Sequence, residues 1–526
     1  MTTFLTDRAH DLLALAPAWA WAVGLLVTWY VVSAVTTWYR LRHIPGPFFA
    51  RFSYLYIGYH TFKGDSARVY SRFFENYGSL VRVGPNYVVT SDPKLLNHIN
   101  GARSPYQKDG WYRGSRFLAE YDNMGSLLDV AEHDRIKAKT ASGYNGRENG
   151  ADMEPAIDEQ IGALVDLIRR KYISKSDQQT PVDISQLFRY FTMDVITRLG
   201  YSKSFGHLAE GTDVYGWCAN VDGALTLMSC ILDFPLLRDI LFSKNGLALV
   251  GPKPTDKAGL GRVLGIVHNL VSERLKQAET DGKLRGDMIN GFIRNGLTQQ
   301  EIEGEAVLHL IAGSDTTTNV LAGTMSYLMA TPHVYARLKR EIQHAIESGL
   351  VSADKPIRYD QAQKLPYLQG VIWEGYRIRP PLTIGHYKVV PPGGDTLNGV
   401  FLPEGTAIGH NTLALTRNKE IFGEDVEYFR PERFSEVDEA TRIRRFKALD
   451  ITFGAGRYAC AGKQVALYEL NKCIFELMRN FDFQLTSPGK GWKEAHSVQP
   501  KYTGMMTRFT EADWVFNKGN PAAKEQ

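Results

Sequence analysis

From Leu12 to Tyr39 the chain carries no charged side chain, and Arg40, Arg42 and His43 follow at once. That run exceeds the roughly 20 residues that cross a bilayer. Trp38 and Tyr39 at its end suit an aromatic interface belt, and before it Arg8 is offset by Asp7 and Asp11. The excess of basic residues after the run predicts that the rest of the chain lies in the cytosol. A cleaved signal would have a shorter apolar stretch and a clearer cleavage site. The pattern therefore divides the chain into a short N-terminal segment (1–11), a transmembrane anchor (12–39), a Pro/Gly hinge (40–50) and one large domain (51–526). Within the hinge, Ile44-Pro45-Gly46-Pro47 must break any helix, because proline fixes φ and lacks an N–H.

Beyond the hinge the period changes repeatedly. Residues 80–90 alternate apolar and polar around Gly84-Pro85-Asn86, which predicts a β-hairpin. Residues 104–128 are irregular and aromatic, and long loops of this kind tend to be functional. Ala131–Thr140 reads as a helix with His133 and Lys137 four apart on one face. Residues 150–290 read mostly as helices. Gly259-Leu260-Gly261 to Gly265 imitates a dinucleotide fingerprint, but no strand precedes it and a helical pattern runs through it. Thr298-Gln299-Gln300-Glu301 is a capping box opening a helix that should run to about Met329, before Thr331-Pro332. Further helices are expected at His333–Glu347, Leu368–Ile378 and Lys463 to about Phe481. Pro391–Gly394 and Leu402–Thr406 read as strand and turn. The sum is a mainly α protein with a small β-rich lobe.

Composition narrows the function. The 526 residues carry a net charge of +4, too small to point to nucleic acid, and no basic run is interleaved with aromatics. The four cysteines, Cys218, Cys230, Cys460 and Cys473, have neither a disulfide nor a zinc spacing.

Two stretches break the helical rules. Phe453-Gly454-Ala455-Gly456-Arg457-Tyr458-Ala459-Cys460-Ala461-Gly462 places one cysteine in a glycine-rich loop before a helix. The helix N–H dipoles favour the thiolate. A shielded cysteine thiolate is what an axial haem iron ligand requires. Ala312-Gly313-Ser314-Asp315-Thr316-Thr317 sets poor helix formers in the middle of a long helix, where each costs stability. Small residues at Ala312 and Gly313 let a flat group approach. Asp315 and Thr316 form an acid–alcohol pair able to move protons.

The cysteine loop resembles the haem-binding signature of cytochrome P-450, the haem-thiolate monooxygenases. Phe453, Gly456, Cys460 and Gly462 match it; Tyr458 stands where the family has an arginine, and Arg457 sits one residue early. The helical stretch 312–317 matches the family's oxygen-side motif at every place. Glu374-x-x-Arg377 and Pro431-Glu432-Arg433-Phe434 match its scaffold motifs, and Pro45-Gly46-Pro47 stands where microsomal members carry the same turn.

The resemblance implies the cytochrome P-450 fold behind a single transmembrane helix. It implies haem b with Cys460 on the iron, and Phe453, Gly456, Tyr458 and Gly462 around it. His133, Lys137 and Lys388 would lie toward the haem propionates, with His386 as a second candidate. Ala312 and Gly313 would lie at the oxygen side, and Asp315 and Thr316 would deliver protons. It further implies electrons from NADPH through NADPH–cytochrome reductase, with cytochrome b5 as a second donor. Arg442, Arg444, Arg445, Lys447 and Lys463 would form a basic face toward that donor. The substrate would be a lipophilic small molecule. The site would be the endoplasmic reticulum membrane, and the role fungal secondary-metabolite biosynthesis. A haem-thiolate isomerase or dehydratase needing no external electrons, or a membrane-tethered binding protein, stay open as other readings.

Overall fold

The computed structural model describes residues 18–144, 153–175, 177–281, 286–486, 491–496 and 498–512. The expected segment 1–11 and the first part of the expected anchor, 12–17, lie outside the described residues. Ala18–Arg40 is one helix, α1. Its stretch Ala20–Arg40 is long and apolar enough to cross a membrane and is not buried in the protein.

The elements that build the interior follow from their patterns. Val130–Tyr144 forms α2, Ile184–Tyr201 forms α3 and Trp217–Leu232 forms α4. The longest helix, α5 (Gln299–Ala330), opens on the capping box: the Thr298 hydroxyl accepts from Glu301 N at 3.3 Å, and Glu301 accepts from Thr298 N at 2.7 Å. Most of α5 is buried, so its polar residues must find partners inside the fold. Thr318 meets Thr192 of α3, oxygen to oxygen, at 2.9 Å. Pro366–Ile378 (α6) and Lys463–Asn480 (α7) complete the frame. Gly259–Asp281 is helical throughout, as the missing strand before its glycines implied.

The β-rich lobe is a five-stranded sheet of β1 (Leu80–Arg82), β2 (Tyr87–Thr90), β3 (Gln107–Lys108), β4 (Ile384–Val389) and β5 (Ala407–Asn411), in the order β1-β2-β5-β4-β3. β2 and β5 run parallel; the other pairs are antiparallel. β4 is bulged between Gly385 and Lys388, and His386 there holds a positive φ of 52°. Bulges re-aim side chains near functional sites.

Residues 41–47 are packed against this lobe. Leu41 and Ile44 are fully buried in a cluster with Leu80, Val88 and Val390. The Pro45 carbonyl accepts from Arg82 N at 2.8 Å. A Cβ on Gly46 would lie 2.1 Å from the Arg82 carbonyl oxygen, so only glycine fits this approach.

A buried ion cluster ties the scaffold under the site. Arg377 grips Glu374 with Nε and Nη2, both at 2.7 Å, and Arg433 Nε reaches the same carboxylate at 3.3 Å. All three side chains are fully buried. Thr416 O and Val426 O take up Arg377 Nη1 at 3.0 and 2.8 Å, and Asp425 Oδ1 takes Arg433 Nη1 at 2.7 Å. Charges this deep are held only when each is paired and bonded.

Candidate functional site

A cavity of about 360 Å³ lies between α5, α7, α2 and the β lobe. Of the residues singled out from sequence, Cys460, Phe453, Tyr458, Gly462, His133, Lys137, Lys388, Ala312, Gly313 and Thr316 line it. Asp315 and Gly456 do not.

The cysteine loop shows why its glycines are needed. Gly454 and Gly456 adopt φ of 75° and 58°. A Cβ on Gly456 would sit 2.7 Å from Ala102 Cα. The loop is thereby pressed onto the segment after the Pro93–Asn100 helix. Cys460 N donates to Phe453 O at 2.7 Å, closing the loop. Cys460 opens onto the cavity. Burial in the fold raises its thiol; the amides of Gly462 and Lys463 and the charges of Lys137 and Lys463 oppose that rise. Phe453 stacks on Tyr376 at 4.9 Å between centroids.

Across the cavity, Thr316 Oγ1 donates to Ala312 O at 2.8 Å. That bond leaves the oxygen's lone pairs toward other donors and weakens the helix ladder locally. Gly313 makes room for α3, since a Cβ there would meet Ile196 at 3.0 Å. Asp315 turns to the far side of α5, where Arg189 Nε donates to it at 3.1 Å. Arg189 also holds Asp222 of α4 with two bonds of 3.0 Å, and Lys501 lies 2.6 Å from Asp222. Burial raises the Asp315 carboxyl, and Arg189 works against that rise.

One wall is rich in cationic groups. Lys388 Nζ is buried without a hydrogen-bond partner and lies 3.2 Å above the Tyr458 ring centroid. The Tyr458 hydroxyl and His386 Nδ1 are likewise buried and unpartnered. Lys108, which the sequence reading passed over, donates to Met124 O and Gly125 O at 2.7 and 2.9 Å. Burial, with Lys108 beside it, pulls Lys388 down to about 6. Burial likewise takes Lys108 to about 7 and His133 and His386 to about 4. Lys137 donates to Arg457 O at 2.6 Å and Ala459 O at 3.1 Å. Arg457 faces away, 3.3 Å from Asp134, so Tyr458 alone of that pair reaches the cavity.

Burial opposes the protonation of these basic groups because no anion faces them, and orphaned donors aimed at a common space call for acceptors. A flat group bearing two carboxylates, with a metal facing Cys460, satisfies both demands; haem is such a group. The residues present fit it.

Sequence reasoning also missed Glu469 on α7. It lines the cavity and is buried, with no cationic partner for its carboxyl among the described residues. Burial pushes it up to about 8, opposed only by the Thr317 hydroxyl. An acid inside the apolar face of the Lys463–Asn480 pattern was the available signal.

Fold, cysteine loop and cavity together define a haem-thiolate protein, and residues 45–507 match the cytochrome P-450 family. The chain belongs to that family and is a monooxygenase, an oxidoreductase that depends on haem. It is 40% identical over 489 residues to cytochrome P-450 monooxygenase ABA1 of Pyricularia oryzae, covering 91% of this chain and 94% of that protein. It is 43% identical over 453 residues to aba1 of Botryotinia fuckeliana, covering 86% and 88%. Pisatin demethylase of Fusarium vanettenii is 30% identical over 507 residues, covering 94% and 93%.

Proposed function

We propose that this chain is a membrane-anchored monooxygenase of fungal secondary-metabolite biosynthesis, inserting one oxygen atom of O2 into a lipophilic small molecule by hydroxylation or epoxidation. The observation that carries it is that Cys460 and Thr316 open onto one cavity from α7's loop and from α5. Likeness to the fungal monooxygenases supports the pathway class.

Cys460 is the residue that would ligate the haem iron, inside a loop shaped by Gly454 and Gly456 and shielded by Phe453. Lys388, Lys137, His133 and Tyr458, with Lys108 and His386 beside them, would hold the haem carboxylates. Haem, when bound, supplies dioxygen activation and oxygen insertion into the substrate. Ala312 and Gly313 keep α5 thin at that point. The Thr316 hydroxyl, whose own proton goes to Ala312 O, would offer its oxygen at the cavity surface as the acceptor that holds a proton-bearing group. Asp315 is the carboxyl that would return protons to it from the outer side of α5, once released by Arg189.

Two electrons from NADPH would arrive through NADPH–cytochrome reductase, with cytochrome b5 as a second donor. Of the basic residues near the cysteine loop, Lys447 is exposed, while Arg442 pairs with Glu439, Lys463 with Asp450, and Arg445 donates to Ile421 O. The anchor would place the enzyme in the endoplasmic reticulum membrane with its domain in the cytosol.

The test is the absorption spectrum of the reduced, carbon-monoxide-bound membrane fraction beside Cys460→Ala. A red-shifted Soret band lost in the variant supports the assignment. The same band in both would reject Cys460 as the ligand.

A further inference from the structure

Two oxidisable rings lead from the cavity toward the outside of α6. Tyr376 lines the cavity, and its ring is stacked on Phe453 with 15° between the planes. Trp373 lies three residues earlier on α6, hence on the same side of the helix. The two ring centroids are 6.0 Å apart, with 64° between the planes. Tyr376 is 2% exposed, whereas Trp373 is half-buried. Beyond Trp373 stand Phe446, at 5.2 Å, and Phe434, stacked on Phe446 at 5.5 Å. A phenyl ring gives up an electron far less readily than an indole or a phenol, so an electron vacancy that reaches Trp373 stops there. The neighbouring Glu374 and Arg377 fix this turn of α6 in the buried ion cluster.

The Tyr376 hydroxyl is placed to lose and regain a proton. It lies 2.7 Å from Thr452 Oγ1, which is also 2.6 Å from Leu449 O. A carbonyl only accepts, so it takes the Thr452 proton and leaves that oxygen able to accept from Tyr376. A neutral phenol gives up an electron readily only as its proton departs, and a bonded acceptor eases that departure. Burial raises the phenol and keeps it protonated at neutral pH. The proton delivery proposed above does not use this pair, because it lies across the cavity at Thr316.

Another ring path leaves the cavity at Tyr112, whose neighbour Trp111 lies 5.3 Å away. It runs inward: Trp111, Tyr387 and Tyr87, joined at 6.1 and 4.4 Å, are all buried. A reductant from solution reaches none of those three rings.

We propose that Tyr376 and Trp373 form an electron relay that discharges the oxidising centre when oxygen has been activated with no substrate in reach, so that the enzyme spares its own haem by oxidising thiols. This rests on the haem-thiolate reading above. Tyr376 yields an electron to the cavity while its proton is drawn toward Thr452. Trp373 then refills Tyr376, the phenol proton returns, and the indole N–H proton passes to water. A thiol of the glutathione class refills Trp373, which regains its proton. Two passes deliver two electrons. With two protons they turn the activated oxygen atom into water, and the two thiols, each having lost one electron and one proton, join as a disulfide.

The experiment mixes the substrate-free holoenzyme with a peracid, which supplies the activated oxygen atom directly. Radicals are read by rapid-freeze electron paramagnetic resonance, oxidised residues by peptide mass spectrometry, and haem by the decay of its Soret band. An indole radical, oxidation products at Trp373 and slower haem bleaching with glutathione are expected. Trp373→Phe should leave the radical on Tyr376 and bleach several-fold faster, with no protection by glutathione. Tyr376→Phe keeps the ring stack but should cut oxidation at Trp373 several-fold. Oxidation at Trp111 or Tyr112 with Trp373 untouched would overturn the proposal, as would equal bleaching in all three proteins. The haem-thiolate reading is checked separately by the carbon monoxide band of the same samples; without that band the relay has no oxidant and falls with it.

Discussion

Arg189 Nε and the Asp315 carboxylate stand 3.1 Å apart, on the side of α5 that faces away from the cavity. On the proton delivery proposed above, the acid for the oxygen side is therefore stored in an ion pair and is not already presented. Asp315→Asn removes the only carboxyl of that motif. Turnover is expected to drop by roughly 10²-fold, the usual size of a general-acid contribution, with a larger solvent isotope effect. Steady-state rates in H2O and D2O check this; an unchanged isotope effect would assign proton delivery elsewhere.

Thr316 has a different part. Its hydroxyl is fixed by Ala312 O and sits at the cavity surface. Thr316→Ala should keep NADPH consumption close to the original rate while diverting most of it to hydrogen peroxide. Thr316→Ser should restore most of the coupling. The ratio of product to NADPH consumed is the measurement.

Glu374 answers to two buried guanidiniums and to the Arg430 N–H at 2.9 Å. Removing it leaves the buried Arg377 guanidinium with no carboxylate and Arg433 with Asp425 alone. Glu374→Ala should cost about 3–5 kcal/mol of stability, as breaking a buried pair does. Denaturant unfolding and the yield of haem-loaded protein would both register the loss.

Glu305 of α5 accepts from Met124 N at 2.7 Å and from the Tyr121 hydroxyl at 3.0 Å, holding the 104–128 loop. Burial raises it to about 7 from an ordinary 4.5. The folded state thus binds this proton more tightly than the unfolded chain. Its stabilising effect is complete below about 4.5 and is lost as pH rises through about 7. Glu305→Gln lacks that slope, so its melting temperature should gain on the parent between pH 5 and pH 8 (roughly, by the same linkage). Parallel pH profiles for the two proteins would contradict it.

Much of this was readable in advance because it depends on neighbours in the chain. The capping box at Thr298 and Glu301, the glycines around Cys460 and the three-residue spacing of Glu374 and Arg377 are local patterns with local causes. The fate of Asp315 was not readable, because its partner Arg189 lies 126 positions away. Lys108 and Arg82 look like ordinary surface charges in the sequence, whereas Glu469 shows there as an acid within an apolar helical face. Only the folded chain shows that each is buried. Tyr458 was legible as a departure from the signature. What it does, carrying Lys388 on its ring while Arg457 turns to Asp134, needed the three-dimensional arrangement.

Lys137 reaches the carbonyls of Arg457 and Ala459, which lie 320 and 322 positions further on. At a synthesis rate of about 5–20 residues per second, those partners leave the ribosome roughly 15–65 s after Lys137 does. The apolar N-terminal stretch has by then long been available to the membrane. If the N-terminal helix is the anchor proposed above, the chain meets its membrane as an unfinished protein, and haem can be seated only as synthesis closes. Haem supply thus acts on a chain whose synthesis is nearly complete, because the walls of its pocket come from both ends of the domain.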